Sequence, residues 1–551
     1  MQDMRDLARF SLFTPSRAFV FAGIPRFLRS LCILLSTERR VGPSKSRRLL
    51  VGSLAGALVF GASSCSDQEA HPAAGSPKHI ILITLDTTRA DRLAPWGGDP
   101  GLTPALSELA SESIVYLDAT TPAPTTLAAH TSIFTGRSPR SHGVPRNGFL
   151  VNPENKTLAE LLGAAGYHTL AVIGSFALES LFGLDQGFAL YDEEFGLEYL
   201  PGMYDQNQRR AAEVTDRVLQ LLDASLDAES DRSVFLFAHY FDAHAPYDPP
   251  AEGLHRVGLQ AGERADLKAV GRAVVAQQKA ASGMGLGTRW VFSNGLLPEL
   301  LDGAKGEPLA RDLQLEKLYR AEIAYMDAEL GRLLRGLRER GVLDECLLIL
   351  TSDHGETFWE HGDFWNHGLA TYQTTMRVPL LVRLPGGQAG GMVVEEPVTT
   401  LDLVPTLCAL AGLEAPTDLE GLDLSPTFEG LNLPGRVIIS EATQPVGEVE
   451  RDALWLNQAK AKSVRQGRWK YIYTPYLAGR EELYDLSVDP AEQQNLLLEP
   501  TVELLELASS LRGELEAWAA AHKPLPSSFE DAQMDAVRSR LEALGYSGED
   551  D

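Results

Sequence analysis

Five uninterrupted apolar runs set what this chain can fold into. The first, His79-Ile80-Ile81-Leu82-Ile83-Thr84-Leu85, closes on Asp86. Four more lie at residues 169–173, 234–238, 346–351 and 379–382. None alternates polar with apolar, so each suits a strand buried on both faces of a parallel sheet. Amphipathic helix patterns fill the intervals. One places Thr103 as N-cap and Pro104 in the first turn, with Leu106, Leu109 and Ala110 on one face. A longer one sets Leu315, Leu318, Ile323, Met326, Leu330, Leu333 and Leu334 at helical spacing. Strand and helix in alternation predict an α/β fold, a mostly parallel central sheet sandwiched by helices.

The pattern divides the chain. Residues 78–430 carry the alternation and read as a catalytic domain. Residues 251–312 are rich in Gly, Ala and Arg and read as an insertion. Short strand patterns at 437–439, 461–465, 469–473 and 482–486, then a helix over 502–520, predict a small antiparallel C-terminal subdomain at 431–525. An acidic tail spans 526–551.

Residues 1–65 differ in kind. They hold ten Lys/Arg and three acids, and Arg47-Arg48 precedes the apolar run at 49–60. That run is shorter than the roughly 20 residues of a membrane span. A basic flank, a short apolar core and Ala62-Ser63-Ser64 before Cys65 predict an export signal of lipoprotein type, with residues 66–77 as a tether. The expected location is the cell envelope, periplasmic or on the outer membrane. Membrane contact is then expected only through that anchor or signal.

With 49 basic and 75 acidic side chains the net charge is -26. Nucleic-acid binding needs a basic face, so that class is excluded. Four cysteines, none in a CxxC, exclude a thiolate zinc cluster and a disulfide scaffold. Cys346 and Cys408 sit in apolar patterns and read as buried thiols.

In open α/β sheets, ligands bind beyond the carboxyl ends of the strands. Asp86 closes the first run, His239, Asp242 and His244 follow the third, and Asp353-His354-Gly355-Glu356 closes the fourth. Carboxylates and imidazoles converging there suit a divalent cation. In Pro124-Thr125-Thr126-Leu127 a helix begins, and a hydroxyl at a helix start lies beside backbone amides that favour an anion. Either threonine reads as an N-cap or as a reactive alcohol.

These blocks together resemble the sulfatase family of the alkaline phosphatase superfamily. The matching pieces are Leu85-Asp86-Thr87-Thr88-Arg89-Ala90-Asp91, Phe134-Thr135-Gly136-Arg137 with His142-Gly143-Val144, His244-Ala245-Pro246-Tyr247, and Thr351-Ser352-Asp353-His354-Gly355-Glu356. Near the C-terminus, Gly467-Arg468-Trp469-Lys470-Tyr471 and Leu483-Tyr484-Asp485-Leu486 also match. The resemblance implies a nucleophile nine residues before Thr135, which is Thr126, and a substrate-holding Asn 21 residues further on, Asn147. It implies metal ligation by Asp86, Thr126, Asp353 and His354. It places His244 at the leaving group, His130 in the catalytic set, and His239 and His367 as substrate contacts or further ligands.

The chain departs from the family at the centre. Sulfatases carry Cys or Ser within Cys/Ser-x-Pro-x-Arg and oxidise it to formylglycine. Here the stretch is Thr126-Leu127-Ala128-Ala129-His130, with His130 in place of Arg, and Thr87 replaces the second Asp of the usual pair. A threonine has a methyl on Cβ and cannot become an aldehyde. The resemblance therefore implies the Thr subset of the family. The expected chemistry is metal-dependent hydrolysis of sulfuric or phosphoric esters through a covalent Thr126 ester, with one divalent ion (Ca, Mg, Mn or Zn) or two. Two alternatives share the fold: transfer of a phosphate-linked headgroup to a lipid or glycan, and an inactive binding or scaffold lipoprotein.

Overall fold

The computed structural model describes residues 75–195, 208–226, 232–245, 247–260, 310–358, 360–362, 367–443, 460–477, 479–523 and 525–526. The export signal, most of the tether, nearly all of the acidic tail and residues 261–309 of the expected insertion lie outside them.

Thirteen strands are seen among the described residues: β1 (His79–Leu85), β2 (Ile114–Thr120), β3 (His168–Val172), β4 (Leu190–Asp192), β5 (Val234–Tyr240), β6 (Cys346–Thr351), β7 (Arg377–Arg383), β8 (Val393–Val394), β9 (Val398–Thr399), β10 (Val437–Glu441), β11 (Lys462–Gln466), β12 (Trp469–Thr474) and β13 (Arg480–Asp485). The helices are α1 (Pro104–Ser111), α2 (Thr126–Thr135), α3 (Pro139–His142), α4 (Leu158–Ala164), α5 (Ala211–Ser225), α6 (Ala251–Arg256), α7 (Ala310–Glu339), α8 (Gln373–Met376), α9 (Leu403–Leu410) and α10 (Val502–Ala521). The larger sheet runs β4-β3-β5-β1-β6-β7-β2-β8, with β9 beside β2. Pairing is parallel except where β7 meets β6 and β2. The smaller sheet, β10-β11-β12-β13, is antiparallel throughout.

The unbroken apolar runs have a direct cause. On β1, Ile81, Ile83 and Leu85 enter one core with α1, α5 and α7, while Ile80 and Leu82 enter the other with α2, α4 and α9. Successive side chains point to opposite faces, and both faces are covered, so neither can be polar. Burying one such side chain contributes roughly 1.5–3 kcal/mol. β5 and β6 do the same on either side of β1.

Register then builds the site. Thr84 of β1 lies opposite His239 of β5 and Thr351 of β6, so the three strands end level with one another. Asp86, Asp242 and Asp353 follow those ends.

One local reading changes, and two elements go beyond the sequence pattern. Thr103 stands at the cap position of α1, but its hydroxyl accepts from the Ala94 amide. The first α1 amides, Ala105 and Leu106, instead donate to Asp327 of α7 at 3.0 and 2.8 Å. Residues 190–192 form edge strand β4, where Asp192 is buried against Arg209 and Arg217. The antiparallel position of β7 beside β2 was not legible, since β2 carries Asp118 within it.

Candidate active site

Asp86, Asp353 and His354 are completely buried, and one ligand atom from each lies within 4.8 Å of the other two. Each keeps an atom unsatisfied: Asp86 Oδ1, Asp353 Oδ2 and His354 Nε2 have no hydrogen-bond partner. Buried polar atoms are rarely left that way, because each costs a desolvation penalty. The remaining atoms are committed to the frame. His354 Nδ1–H donates to the Gly355 carbonyl at 2.9 Å, which fixes the tautomer and leaves the Nε2 lone pair for a ligand. Asp353 Oδ1 accepts from the Thr87 and His354 amides at 3.0 and 2.8 Å. Two carboxylate oxygens and one imidazole nitrogen fit a divalent cation.

Burial, then the charge on Asp353, pushes the Asp86 carboxyl well above its ordinary value. Burial also holds His354 down, to about 4, so its ring is neutral. Two carboxylates in so dry a place repel each other, and a cation removes that repulsion.

Thr126 is the first residue of α2 and fully buried. A hydrogen bond from its hydroxyl is among the influences that lower the Asp86 carboxyl. The alcohol therefore reaches the acid cluster. Thr125 fills the cap position without a side-chain cap bond. Asn147 does that work: its Oδ1 accepts from the Leu127 amide at 2.7 Å. Asn147 Nδ2 is buried with no partner, a spare donor beside the helix start.

His244 stacks on Phe241 with ring centroids 4.5 Å apart, and its Nδ1–H donates to the Ala245 carbonyl at 2.6 Å. Burial and His367 pull it down to about 3. His367 lies with its ring 4.5 Å from His354 and 5.3 Å from His244, and its Nδ1 is 3.2 Å from the buried Glu356. His244, His354 and His367 thus form one group at the cluster.

Two further expected site residues adjoin the cluster. His239 Nε2 lies 3.0 Å from Asp86 Oδ2, while its Nδ1 accepts from the Gly174 amide at 3.2 Å. Both nitrogens are used in these contacts, one of them on Asp86. His130 donates from Nδ1 to the Thr126 carbonyl at 2.7 Å and accepts at Nε2 from Thr84 at 2.9 Å. The ring is buried, burial holds it below its ordinary value, and its Nδ1 lies 3.8 Å from Asp353 Oδ2.

Thr87, in place of the second family Asp, adopts φ +50, a left-handed conformation that β-branched residues rarely take. Its amide on Asp353 and its carbonyl on the Tyr319 hydroxyl hold it there. Arg89 ties the two catalytic loops together, donating to Asp91, Glu360 and the Glu356 carbonyl. His361 stacks on Tyr372 at 3.7 Å, on the side of the small sheet.

A family model described as Sulfatase matches residues 78–413. The choline-sulfatase of Rhizobium meliloti (strain 1021) is 33% identical over 184 residues, which is 33% of this chain and 33% of that protein. The chain thus spans a third of that relative's length. An arylsulfatase of Clostridium perfringens (strain 13 / Type A) is 25% identical over 472 residues, 76% of this chain and 90% of that one. Among solved structures, the phosphonate monoester hydrolase of Agrobacterium radiobacter shares the fold with TM-score 0.59 and 21% identity, covering 81% of this chain and 96% of that chain. The match of the family model over more than half of its length settles the kinship: this chain belongs to the sulfatase family.

Proposed function

We propose that this protein is a metal-dependent hydrolase of sulfuric or phosphoric esters in which the Thr126 hydroxyl is the nucleophile. The observation that carries the reading is the buried Thr126 at the start of α2, hydrogen-bonded to Asp86 of the Asp86/Asp353/His354 cluster. Asp86, Asp353, His354 and Thr126 would hold one divalent ion. When bound, that ion supplies positive charge that lowers the pKa of an alcohol and steadies the transferred group.

The chain's own residues do the rest. The Thr126 proton leaves along its hydrogen bond to Asp86, and Oγ1 forms a bond to phosphorus or sulfur as the bond to the leaving oxygen breaks. The α2 amides and Asn147 Nδ2 hold the anionic oxygens. An anionic ester beside His244 favours the imidazolium, whose Nε2–H donates to the leaving alcohol. Water then attacks the Thr126 ester and gives a proton back to His244 as the bond from Oγ1 to phosphorus or sulfur breaks; Thr126 takes its proton back from Asp86, and phosphate or sulfate leaves. An alcohol nucleophile leans toward phosphoryl transfer, since the formylglycine route that sulfatases use to expel sulfate is closed to threonine. We place the protein in the cell envelope on the strength of the signal pattern at residues 1–65.

The test is a parallel assay of aryl sulfate, phosphate monoester, phosphate diester and phosphonate ester, each with Zn, Mn, Mg and Ca. Thr126→Ala should abolish turnover without unfolding, and Thr126→Ser should keep it. Mass spectrometry of quenched protein should find one phosphoryl or sulfuryl group on Thr126. Full activity in Thr126→Ala would overturn the reading.

A further inference from the structure

The chain between the end of β5 and the start of α6 carries His244, and one arginine pins it on both sides of that residue. Arg210, the residue before α5, donates from Nη2 to the Asp248 carbonyl at 2.7 Å. Its Nη1 lies 3.3 Å from both oxygens of Glu322 on α7 and 3.8 Å from Asp242 Oδ1. Glu322, fully buried, also accepts from the Asp248 amide at 2.6 Å. Asp242 Oδ1 accepts from the Ala211 amide at 3.1 Å. The loop is therefore fixed two residues before His244 and four residues after it, through a single Arg210–Glu322 unit.

We propose that Arg210 and Glu322 are positioning residues: together they hold Asp242 and Asp248, on either side of His244, so that His244 is kept against Phe241 and faces the reacting ester. The inference rests on the role proposed above for His244. It does not involve the metal cluster or Thr126.

The clamp is costly to keep for stability alone. Three carboxylates, Asp242, Asp248 and Glu322, gather around one guanidinium, with Glu329, Arg332 and Tyr325 of α7 and Glu213 of α5 among the other charged or titratable groups on the packed elements. Burying charges in this way seldom stabilises more than a packed apolar substitute. What the arrangement does supply is a fixed backbone at Asp248, bonded at both its amide and its carbonyl. A catalytic imidazole needs that, because a shift of about 1 Å in a reacting group can cost about a hundredfold in rate.

The test uses the full chain and aryl esters graded from good to poor leaving groups. Glu322→Ala should lower kcat about tenfold to a hundredfold, most for the poorest leaving group, with KM little changed. Glu322→Gln, which keeps the acceptor oxygen, should recover most of the loss. His244→Ala should show the same leaving-group dependence, and adding Glu322→Ala to it should cost nothing more. Hydrogen exchange should rise at the Asp248 amide in Glu322→Ala, with α2 unchanged. Equal losses for all leaving groups, or additive losses in the double variant, overturn the clamp. If His244→Ala itself shows no leaving-group dependence, the role of His244 fails instead. If Glu322→Ala does not fold, the same comparison with Arg210→Lys decides, with Glu322→Gln as the conservative control.

Discussion

His239 can only donate to Asp86. Its Nδ1 is taken as acceptor by the Gly174 amide, so the proton stands on Nε2, 3.0 Å from Asp86 Oδ2. A histidine fixed in this way orients a ligating carboxylate from behind and leaves Oδ1 for the ion. Removing such an outer partner typically costs 10- to about 100-fold in metal affinity. His239→Ala should weaken binding of Zn or Mn by about that factor, read by calorimetry on metal-stripped protein. Affinity equal to wild type would show that Asp86 needs no support.

The same pair shows what the sequence does and does not disclose. β1, β5 and β6 were legible because burial on both faces forbids polar residues, and the pattern depends only on local order. Asp86, Asp353 and His354 were legible because strand ends in such sheets are level. His239 was legible only as a polar residue following the run at 234–238: its partner 153 residues away depends on the β1–β5 register. Asn147 was placed only by the family resemblance, and its cap on Leu127 could not be read from either segment. Asp327 closing α1 from α7 is of the same kind, because a cap supplied from 221 residues away leaves no local signature. His130 carries a readable clue to its bond with the Thr126 carbonyl. It lies four residues after Thr126, where a helical side chain meets the carbonyl of the first turn.

The Asp242–Glu322 pair should make stability depend on pH with a definite sign. Burial pushes Glu322 up to about 8 and Asp242 to about 6, above their values in an unfolded chain. The folded state then binds more protons than the unfolded state at intermediate pH, so stability is full in acid and falls as pH rises toward 8. Melting temperature in buffers from pH 5 to pH 9 should fall for the wild type (about that window, set by the two groups). Glu322→Gln should flatten the curve. A wild-type melting temperature that rises across the same window sinks the prediction.

Asp327 should matter for stability and not for turnover. It closes the start of α1 through the Ala105 and Leu106 amides, and burial raises its carboxyl to about 6. Losing a cap costs about 0.5–2 kcal/mol, and Asp327→Ala should sit at the upper end because it strands two amides, one of them buried. Asp327→Asn keeps acceptor oxygen and should lose less. Urea titration measures both, with kcat and KM expected to stay at wild-type values. A fall in kcat with unchanged stability would place Asp327 in the chemistry.

Asn147 has two jobs that one substitution separates. Its Oδ1 caps Leu127, and its Nδ2 is a buried donor with no partner among the described groups. Asn147→Asp retains an oxygen for the Leu127 amide and adds negative charge at a helix start, where the dipole favours it. Stability should therefore be kept. The substrate, however, is an anion in the proposed reaction. A carboxylate in place of the amide removes a donor and adds repulsion, so KM should rise about tenfold or more, as expected for a hydrogen bond to a charged group worth about 1.5–3 kcal/mol. Asn147→Ala should show both losses, with a lower melting temperature and a raised KM. If Asn147→Asp binds the ester as tightly as wild type, Nδ2 does not touch substrate, and Asn147 is a cap alone.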